Sequence, residues 1–453
     1  KMFVGQMTDP SLEDALDAAG SPMDLLRENR GRHPYPVPSE HTNWIEEERS
    51  WRETCSLSDL SHHQKDLYVE GPDALAVFVD LGANDFEGFE PGQAKQFVAC
   101  NTDGFLIGDA ILFYLDDERL KLTGTPIAPN WVEYNLETGD YDAVATADER
   151  YHDKDEPHRT FRYQLQGPNA LDVMRAAVEG SLPEIPFFNF DEVTIAGVDV
   201  RALKHSMASD VGFEIWGPWE ASETVREAIL DAGEDHGLRQ LGEKSYKAQG
   251  SEKGWIARPL PAIFGDEMAE YREWLDGDSY EASSTLGGSF AADDVSEYYL
   301  NPIELGYERF VGFDRDFPGR DALAEMAEAS QRQKVTLVWD DDDVIDLFAS
   351  LLRDGETYKY FDLSMPYWAV FHYDEVLKDG ETVGLSKYFG YTYNERAVLS
   401  LALVDEEYSE PGTEVTLVWG EPGGESPNPK VESHTQTEIS ATVAPNPYVE
   451  AER

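Results

Sequence analysis

The stretch LSDLSHHQKDLYVEGPDAL, residues 57–75, reads as a strand that stops at Gly71-Pro72 and turns into a helix. Apolar residues alternate in DLYVEG (66–71), which suits a half-buried strand, and Pro72 suits the first turn of a helix running to Leu81. The same shape returns at FRYQLQG (161–167), a strand followed by Gly167-Pro168 and a helix over 169–178. Two related sheet units are therefore expected. In the first, DLYVEG and the apolar GFLIGDAILFYL (104–115) are expected to form a hairpin pair of strands. The second continues through VTIAGVDVRALKH (193–205) and GFEIWGP (212–218) into a helix from Ala221 to His236. Strands and helices mixed in this way predict an α+β fold.

Upstream, residues 12–29 have helical apolar spacing broken at Gly20 to Pro22. HPYPVPSEH (33–41) is too proline-rich to be helical, and 44–54 fits a second short helix. From QRQKVTLVW (331–339) onward, short strand-like runs are separated by DDDD, KDGE, EPG and GEPGG, the pattern of a small β-barrel or sandwich. The boundary falls between Ala324 and Gln333, dividing the chain into 1–325 and 326–453.

Between the sheet units and the barrel lies GLRQLGEKSYKAQGSEKGWIARPLPAIF (237–264), which shows neither helical nor strand periodicity. It is expected to be a loop, and loops held by rigid elements are where binding groups concentrate. Tyr246 offers a weak acid and Trp255 a flat ring for stacking.

The 453 residues carry 90 acidic against 36 basic side chains, a formal net charge of -54. With 10 Trp, 22 Tyr and 21 Phe the chain is nonetheless built to fold, which a disordered acidic chain is not. Self-repulsion of that size is relieved at molar salt, where the Debye length falls to about 3 Å. A high-salt cytoplasm is the simplest expectation, and such a charge repels nucleic acid and anionic membranes. No run approaches the roughly 18 apolar residues of a membrane span, and the N-terminus lacks a signal-type apolar core. Cys55 and Cys100 are isolated, so both are expected to be reduced core residues. The histidines show no metal-ligand spacing, so no metal is expected.

Several segments together resemble the folate-binding aminomethyltransferase family. Residues 57–75 resemble its D-x-S-H, strand, glycine, helix pattern, and GFLIGDAI its Gly-Gly-Ile-x-Asp-Asp segment. LQGPNAL, GFEIWGP, NPIELGYERFVGFDRDFPGRDAL (301–323) and DGETVGLSKYFGYTYNERAVLSLALV (379–404) follow in family order, so the likeness runs essentially end to end. Within the family, NWIEEERSWR (43–52), PGQAKQFV (91–98), FFNF (187–190), GWIARPLPAIF (254–264), YREWLDGDSYEAS (271–283) and LGGSF (286–290) resemble the tetrahydrofolate-dependent O-demethylases of methoxylated aromatic acids, the vanillate, 3-O-methylgallate and syringate type.

The resemblance implies a three-lobed fold with tetrahydrofolate in a central hole and a C-terminal barrel. It implies that Glu214 grips the pterin, that Trp255, Phe187 and Phe188 pack around it, and that Asp109 serves the cofactor. Tyr246 matches the tyrosine beside the transferred methyl group. The implied reaction moves a methyl group from an O-methylated aromatic to N5 of tetrahydrofolate, in a monomer or homodimer. A phenol leaving group needs a proton or strong hydrogen bond as charge develops, and a tyrosine of similar pKa can supply it. Aligning acceptor, methyl and oxygen is the rest of the work. By the same resemblance, His62-His63 is a packing element.

Two departures bear on the donor. Gly108 replaces one acid of the aminomethyltransferase pair, and SYKAQGSEKG replaces an arginine-bearing block, both against glycine cleavage. At KLTGTPIAPNW (121–131), Thr125 stands where the demethylases place a substrate-carboxylate arginine. Leu60 stands for a glutamine near the methyl site, His33 for one of two pocket tyrosines, and Tyr35 matches the other. Either the donor lacks a carboxylate at that end, or another residue supplies the charge, with Lys247, Lys244 and His33 as candidates. A sulfonium or methylated-amine donor such as dimethylsulfoniopropionate, or a non-catalytic folate-binding regulator, are the other readings.

Overall fold

The computed structural model describes residues 11–28, 37–149, 157–207, 211–364 and 370–448. His33 and Tyr35 lie outside the described residues. In chain order the first part contains α1 (Leu12–Ala19), α2 (Pro22–Glu28), α3 (Trp44–Glu53), β1 (Cys55–Asp59), β2 (Lys65–Glu70), α4 (Ala74–Leu81), β3 (Ala94–Cys100), β4 (Leu106–Asp116), β5 (Arg119–Gly124), α5 (Ile127–Thr138) and β6 (Val144–Asp148). There follow β7 (Thr160–Gln166), α6 (Ala170–Ala177), β8 (Phe190–Ile195), β9 (Val198–Lys204), β10 (Gly212–Pro218), α7 (Ser222–Gly233), β11 (Leu238–Gln240), α8 (Glu243–Lys253), α9 (Ala269–Trp274), α10 (Tyr280–Ser283), β12 (Leu286–Gly287) and α11 (Arg320–Glu328). The last part contains β13 (Gln333–Trp339), α12 (Asp341–Ser350), β14 (Phe371–His372), β15 (Asp374–Lys378), β16 (Glu381–Thr392), β17 (Ala397–Val404), β18 (Glu414–Trp419) and β19 (Thr437–Ala444).

The expected α+β class holds. One antiparallel sheet has the order β3-β4-β5-β2-β6 and a second the order β11-β1-β7-β10-β9-β8, with only the β1–β11 pair parallel. The two strand–Gly-Pro–helix units thus sit in separate sheets, β2–α4 in the first and β7–α6 in the second. DLYVEG and GFLIGDAILFYL share a sheet but are not hairpin partners. β5 lies between them, pairing with β2 on one side and β4 on the other. A third unit is a closed barrel, β13-β17-β16-β15-β18-β19. Trp339, Phe361, Phe389 and Trp419 fill it, with Trp339 and Phe389 stacked at 5.7 Å.

Two stretches that the sequence reading assigned otherwise are helices. DDDD is not a strand separator. The Asp340 carboxylate accepts from the N–H groups of Asp342 and Asp343 and caps α12, while Asp341, Asp342 and Asp343 face the positive end of that helix. The supposed loop 237–264 contains the short β11 and the three-turn α8. The buried residues of α8 are Ser245, Ala248, Gln249, Gly250, Ser251 and Glu252, so no apolar stripe betrays it.

Side chains of other elements hold α8 instead. At its N-terminus the buried Glu47 carboxylate, from α3, accepts from Gly242 N–H at 2.8 Å and Ser245 Oγ at 2.7 Å. Its other oxygen accepts from His41 and Thr42 N–H at 2.7 Å each. An anion there satisfies orphan helix donors and meets the positive end of the dipole. At the other end, buried Glu252 accepts from Trp51 Nε1 and Arg52 Nη2 at 3.1 Å each, and from Thr392 Oγ1 at 2.5 Å. The string NWIEEERSWR therefore braces α8 at both ends. Cys55 and Cys100 are free buried thiols, and no described helix is long and apolar enough to cross a membrane.

Candidate active site

Glu214 on β10 and Arg162 on β7 are diagonal neighbours, because Trp216 is the residue directly opposite Arg162 in the antiparallel register. Both side chains are 2% exposed. Arg162 Nε donates to Glu214 Oε2 at 2.9 Å, and Nη2 donates to the same oxygen. Nη1 donates to Gln64 Oε1 at 2.7 Å. The turn at 60–64 is bonded to the same residue through its backbone. Leu60 N–H donates to the Arg162 carbonyl at 2.8 Å, and Arg162 N–H donates to Ser61 Oγ at 2.9 Å.

That turn carries His63 to Tyr246 on α8. His63 Nε2 and Tyr246 Oη are 2.8 Å apart, and the rings meet edge-on with centroids at 5.2 Å. Burial first, then the nearby Arg162 charge, pushes the His63 pKa down to about 3, so the imidazole is neutral across ordinary pH. Burial raises Tyr246 well above a free phenol, with the Tyr388 hydroxyl and the Glu214 carboxylate adding to it. The tyrosine is therefore protonated and lies within the field of the Arg162–Glu214 pair. The resemblance implied a packing element, and His63 does pack edge-on against Tyr246 while its Nε2 also meets the hydroxyl. Nothing in the SHH string signalled this, because its partner is 183 positions away.

Glu214 Oε1 faces His205 Nε2 at 3.7 Å. Burial holds His205 below its ordinary pKa against the opposing pull of Glu214, and neither ring nitrogen has a hydrogen-bond partner among the described residues. Phe188 meets the His205 ring edge-on at 5.1 Å, and Phe187 lies at 6.4 Å, 68% exposed. Phe188 adopts φ +57, a conformation that non-glycine residues rarely take, which aims two consecutive rings at one wall. One carboxylate oxygen, an unpartnered imidazole and two aromatic faces thus converge. A flat heteroaromatic with a donor edge fits this donor set.

Trp255 and Asp109 belong to a neighbouring network. Trp255 Nε1 donates to Tyr307 Oη at 3.0 Å, and Tyr307 Oη and Gln96 Nε2 each donate to Asp109 Oδ2 at 2.7 Å. Burial raises the Asp109 carboxyl, and these hydrogen bonds oppose it. Leu60 is buried in the turn beside Arg162. Thr125 stands between β5 and α5, and no hydrogen bond among the described residues ties it to Tyr246 or Glu214. Lys247 forms an i,i+4 ion pair with Glu243, while Lys244 approaches Glu40 at 3.8 Å. Among the described residues, no group of three or more His, Cys, Asp or Glu side chains is arranged to hold a metal ion.

Comparison with known proteins adds four findings. The family model of the GCVT N-terminal domain matches residues 27–259. Syringate O-demethylase of Sphingobium sp. is 43% identical over 442 residues, covering 97% of this chain and 96% of that protein. Sesamin methylene transferase of Sinomonas sp. is 31% identical over 434 residues, covering 92% and 91%. Among solved structures, the glycine cleavage system aminomethyltransferase T of Bartonella henselae superposes with a TM-score of 0.61 at 17% identity, over 94% of this chain and 96% of that one. That last likeness concerns the fold.

Proposed function

The chain belongs to the GCVT aminomethyltransferase family, and on that footing we propose that it moves the methyl group of an O-methylated aromatic to N5 of tetrahydrofolate. It is an enzyme of this family with tetrahydrofolate as its cofactor. The bound folate supplies the methyl acceptor. The observation that carries the reading is the 2.8 Å contact between Tyr246 Oη and a neutral His63, next to the Arg162–Glu214 pair.

Each residue has a defined task in this reading. Glu214 Oε1 and His205 hold the polar edge of the pterin, and Phe187 and Phe188 cover its face. Arg162 fixes the Glu214 carboxylate through two N–H groups on Oε2, which leaves Oε1 for the ligand. With Nε2–H of His63 donating to Oη, the Tyr246 proton points at the oxygen that loses its methyl group. Burial keeps that proton on the tyrosine until phenolate charge develops beside it. Trp255 and Asp109, joined through Tyr307, tie the segment after α8 to β4. Residues 1–325 form the folate-binding region and 326–453 the barrel domain in this scheme.

The test is incubation with tetrahydrofolate and a donor panel in molar KCl. Methoxybenzoates or methoxyphenols are expected to give the free phenol and 5-methyltetrahydrofolate in equal amounts. Product only from dimethylsulfoniopropionate or a methylated amine overturns the aromatic donor. Tight folate binding without product from any donor makes the protein a folate sensor.

The net charge of -54 motivates a second expectation, that folding depends on salt. Screening shortens the Debye length to about 3 Å at 1 M and removes most of the self-repulsion. The thermal unfolding midpoint should climb steadily between low and molar KCl. A midpoint indifferent to KCl contradicts the high-salt reading.

A further inference from the structure

Three carboxylates are buried where α3, α8 and the barrel meet, and they are unequally supplied with donors. Glu47, Glu48 and Glu252 are each 0% exposed. Glu47 has backbone and hydroxyl donors on its two oxygens, and Glu252 has Trp51 and Arg52 on one oxygen with Thr392 on the other. Glu48 is poorer. Its Oε2 accepts from Tyr393 N–H at 2.7 Å, and its Oε1 has no hydrogen-bond partner among the described residues. The cations around it have other partners. Arg49 pairs with Glu46 and Glu53, Arg52 with Glu252 and Glu395, and Arg396 lies over the Tyr393 ring at 4.7 Å.

Glu48 and Glu252 grip the same piece of chain, the turn 393–396 between β16 and β17. Beside the Tyr393 contact, Asn394 Nδ2 donates to the Glu48 carbonyl at 3.0 Å and to Glu252 Oε1 at 3.2 Å. Trp51 and Arg52, which hold the other Glu252 oxygen, follow Glu48 by three and four positions and so lie on its side of α3. A buried charge without partners is costly, and the group keeps its proton instead. Burial raises Glu48 from the ordinary glutamate value to about 9, with the Tyr393 N–H opposing and the Glu252 charge adding. On the barrel side Tyr391 is also raised, by burial first, with Arg396 opposing and Glu48 adding. Glu395 answers Arg52, and on α8 Lys253 follows Glu252.

We infer that Glu48 is an alkali-sensitive latch. While it is a neutral acid, the barrel turn stays docked on α3 and α8. Losing the proton sets a second negative charge beside Glu252 and frees the end of α8 less than two turns from Tyr246. The inference goes beyond the demethylase reading and does not depend on it, because nothing in it concerns the methyl donor. Its sign follows from linkage. The folded chain keeps this proton to higher pH than the unfolded chain does. The stabilising contribution is therefore complete below about pH 4.5, falls by up to tenfold in the folding equilibrium per pH unit above that, and levels off above about pH 9.

The experiment follows the melting temperature of the full chain, parent and Glu48→Gln, from about pH 6 to about pH 10 in fixed molar KCl. Hydrogen exchange of α8 and of residues 393–396 is read alongside. Glutamine keeps an acceptor for Tyr393 N–H and cannot ionise. The melting temperature of Glu48→Gln minus that of the parent should rise steadily to about pH 9 and then level off. Over the same range the amides of α8 and the turn should open in the parent and stay protected in the variant, after allowance for base catalysis of exchange itself. A difference that is flat or falls with pH overturns the inference, as does exchange that follows pH equally in both proteins. If Glu48→Gln does not fold, the parent decides. The infrared carbonyl band of protonated carboxylic acids at pH 7 should lose intensity between about pH 8 and pH 10 as exchange in α8 rises. Neither change, or one without the other, overturns the latch.

Discussion

Tyr246→Phe is expected to lose turnover by about 10²–10⁴-fold, the usual worth of a positioned general acid, while tetrahydrofolate binding is nearly unchanged. The substitution removes one oxygen and leaves the ring that packs edge-on against His63 at 5.2 Å. It does not touch the Glu47 and Glu252 braces, so α8 stays in place. His63 cannot take over as the acid, because burial and the Arg162 charge push its pKa down to about 3, so at neutral pH it is the neutral imidazole, whose remaining N–H is far too weakly acidic. The measurement is the single-turnover rate of methyl transfer beside the folate dissociation constant. A phenylalanine variant within a few-fold of the parent would reduce Tyr246 to packing.

Glu214→Gln should weaken tetrahydrofolate binding at least about tenfold, equivalent to 1.4 kcal/mol. The reason is the exchange of a charge-assisted acceptor for a neutral one, with the amide free to present the wrong group to a donor edge. Alanine is the poorer choice. Arg162 is 2% exposed and places two N–H groups on Glu214 Oε2, so truncation strands a buried guanidinium. Removing one partner of a buried pair costs about 3–5 kcal/mol of stability. The alanine variant should therefore melt well below the parent, whereas glutamine keeps an acceptor for Arg162. Titration with tetrahydrofolate, paired with a melting curve, separates the two effects. A folded Glu214→Gln with parental affinity removes the pterin from this wall.

The amino-acid sequence alone determined the elements whose signal is local. Alternation in DLYVEG and FRYQLQG, each closed by Gly-Pro, announced β2–α4 and β7–α6, and short runs between turn residues announced the barrel. Those signals are local because successive residues of a strand face opposite sides and a glycine must stand where the backbone takes φ +138 at Gly71 or φ +124 at Gly167. At both positions a side chain would also meet backbone, the Asp142 carbonyl at 2.4 Å and Cys55 Cα at 2.7 Å. Motif order along the chain pointed to the family, and hence to Tyr246 and Glu214 as residues to watch.

Only the tertiary structure decided what surrounds them. α8 has no apolar stripe, so its existence depends on carboxylates delivered by α3 and on Tyr388 lying where a Cβ on Gly250 would come within 2.6 Å of its ring. His63 and Tyr246 are 183 positions apart, and Arg162 and Glu214 are 52 apart. Arg258 and Lys387 are 129 apart and meet through a bulge that no spacing rule anticipates. Periodicity reports which face of an element is buried. It carries no record of which distant side chain arrives there, and the surroundings of Tyr246 and Glu214 are made by that arrival.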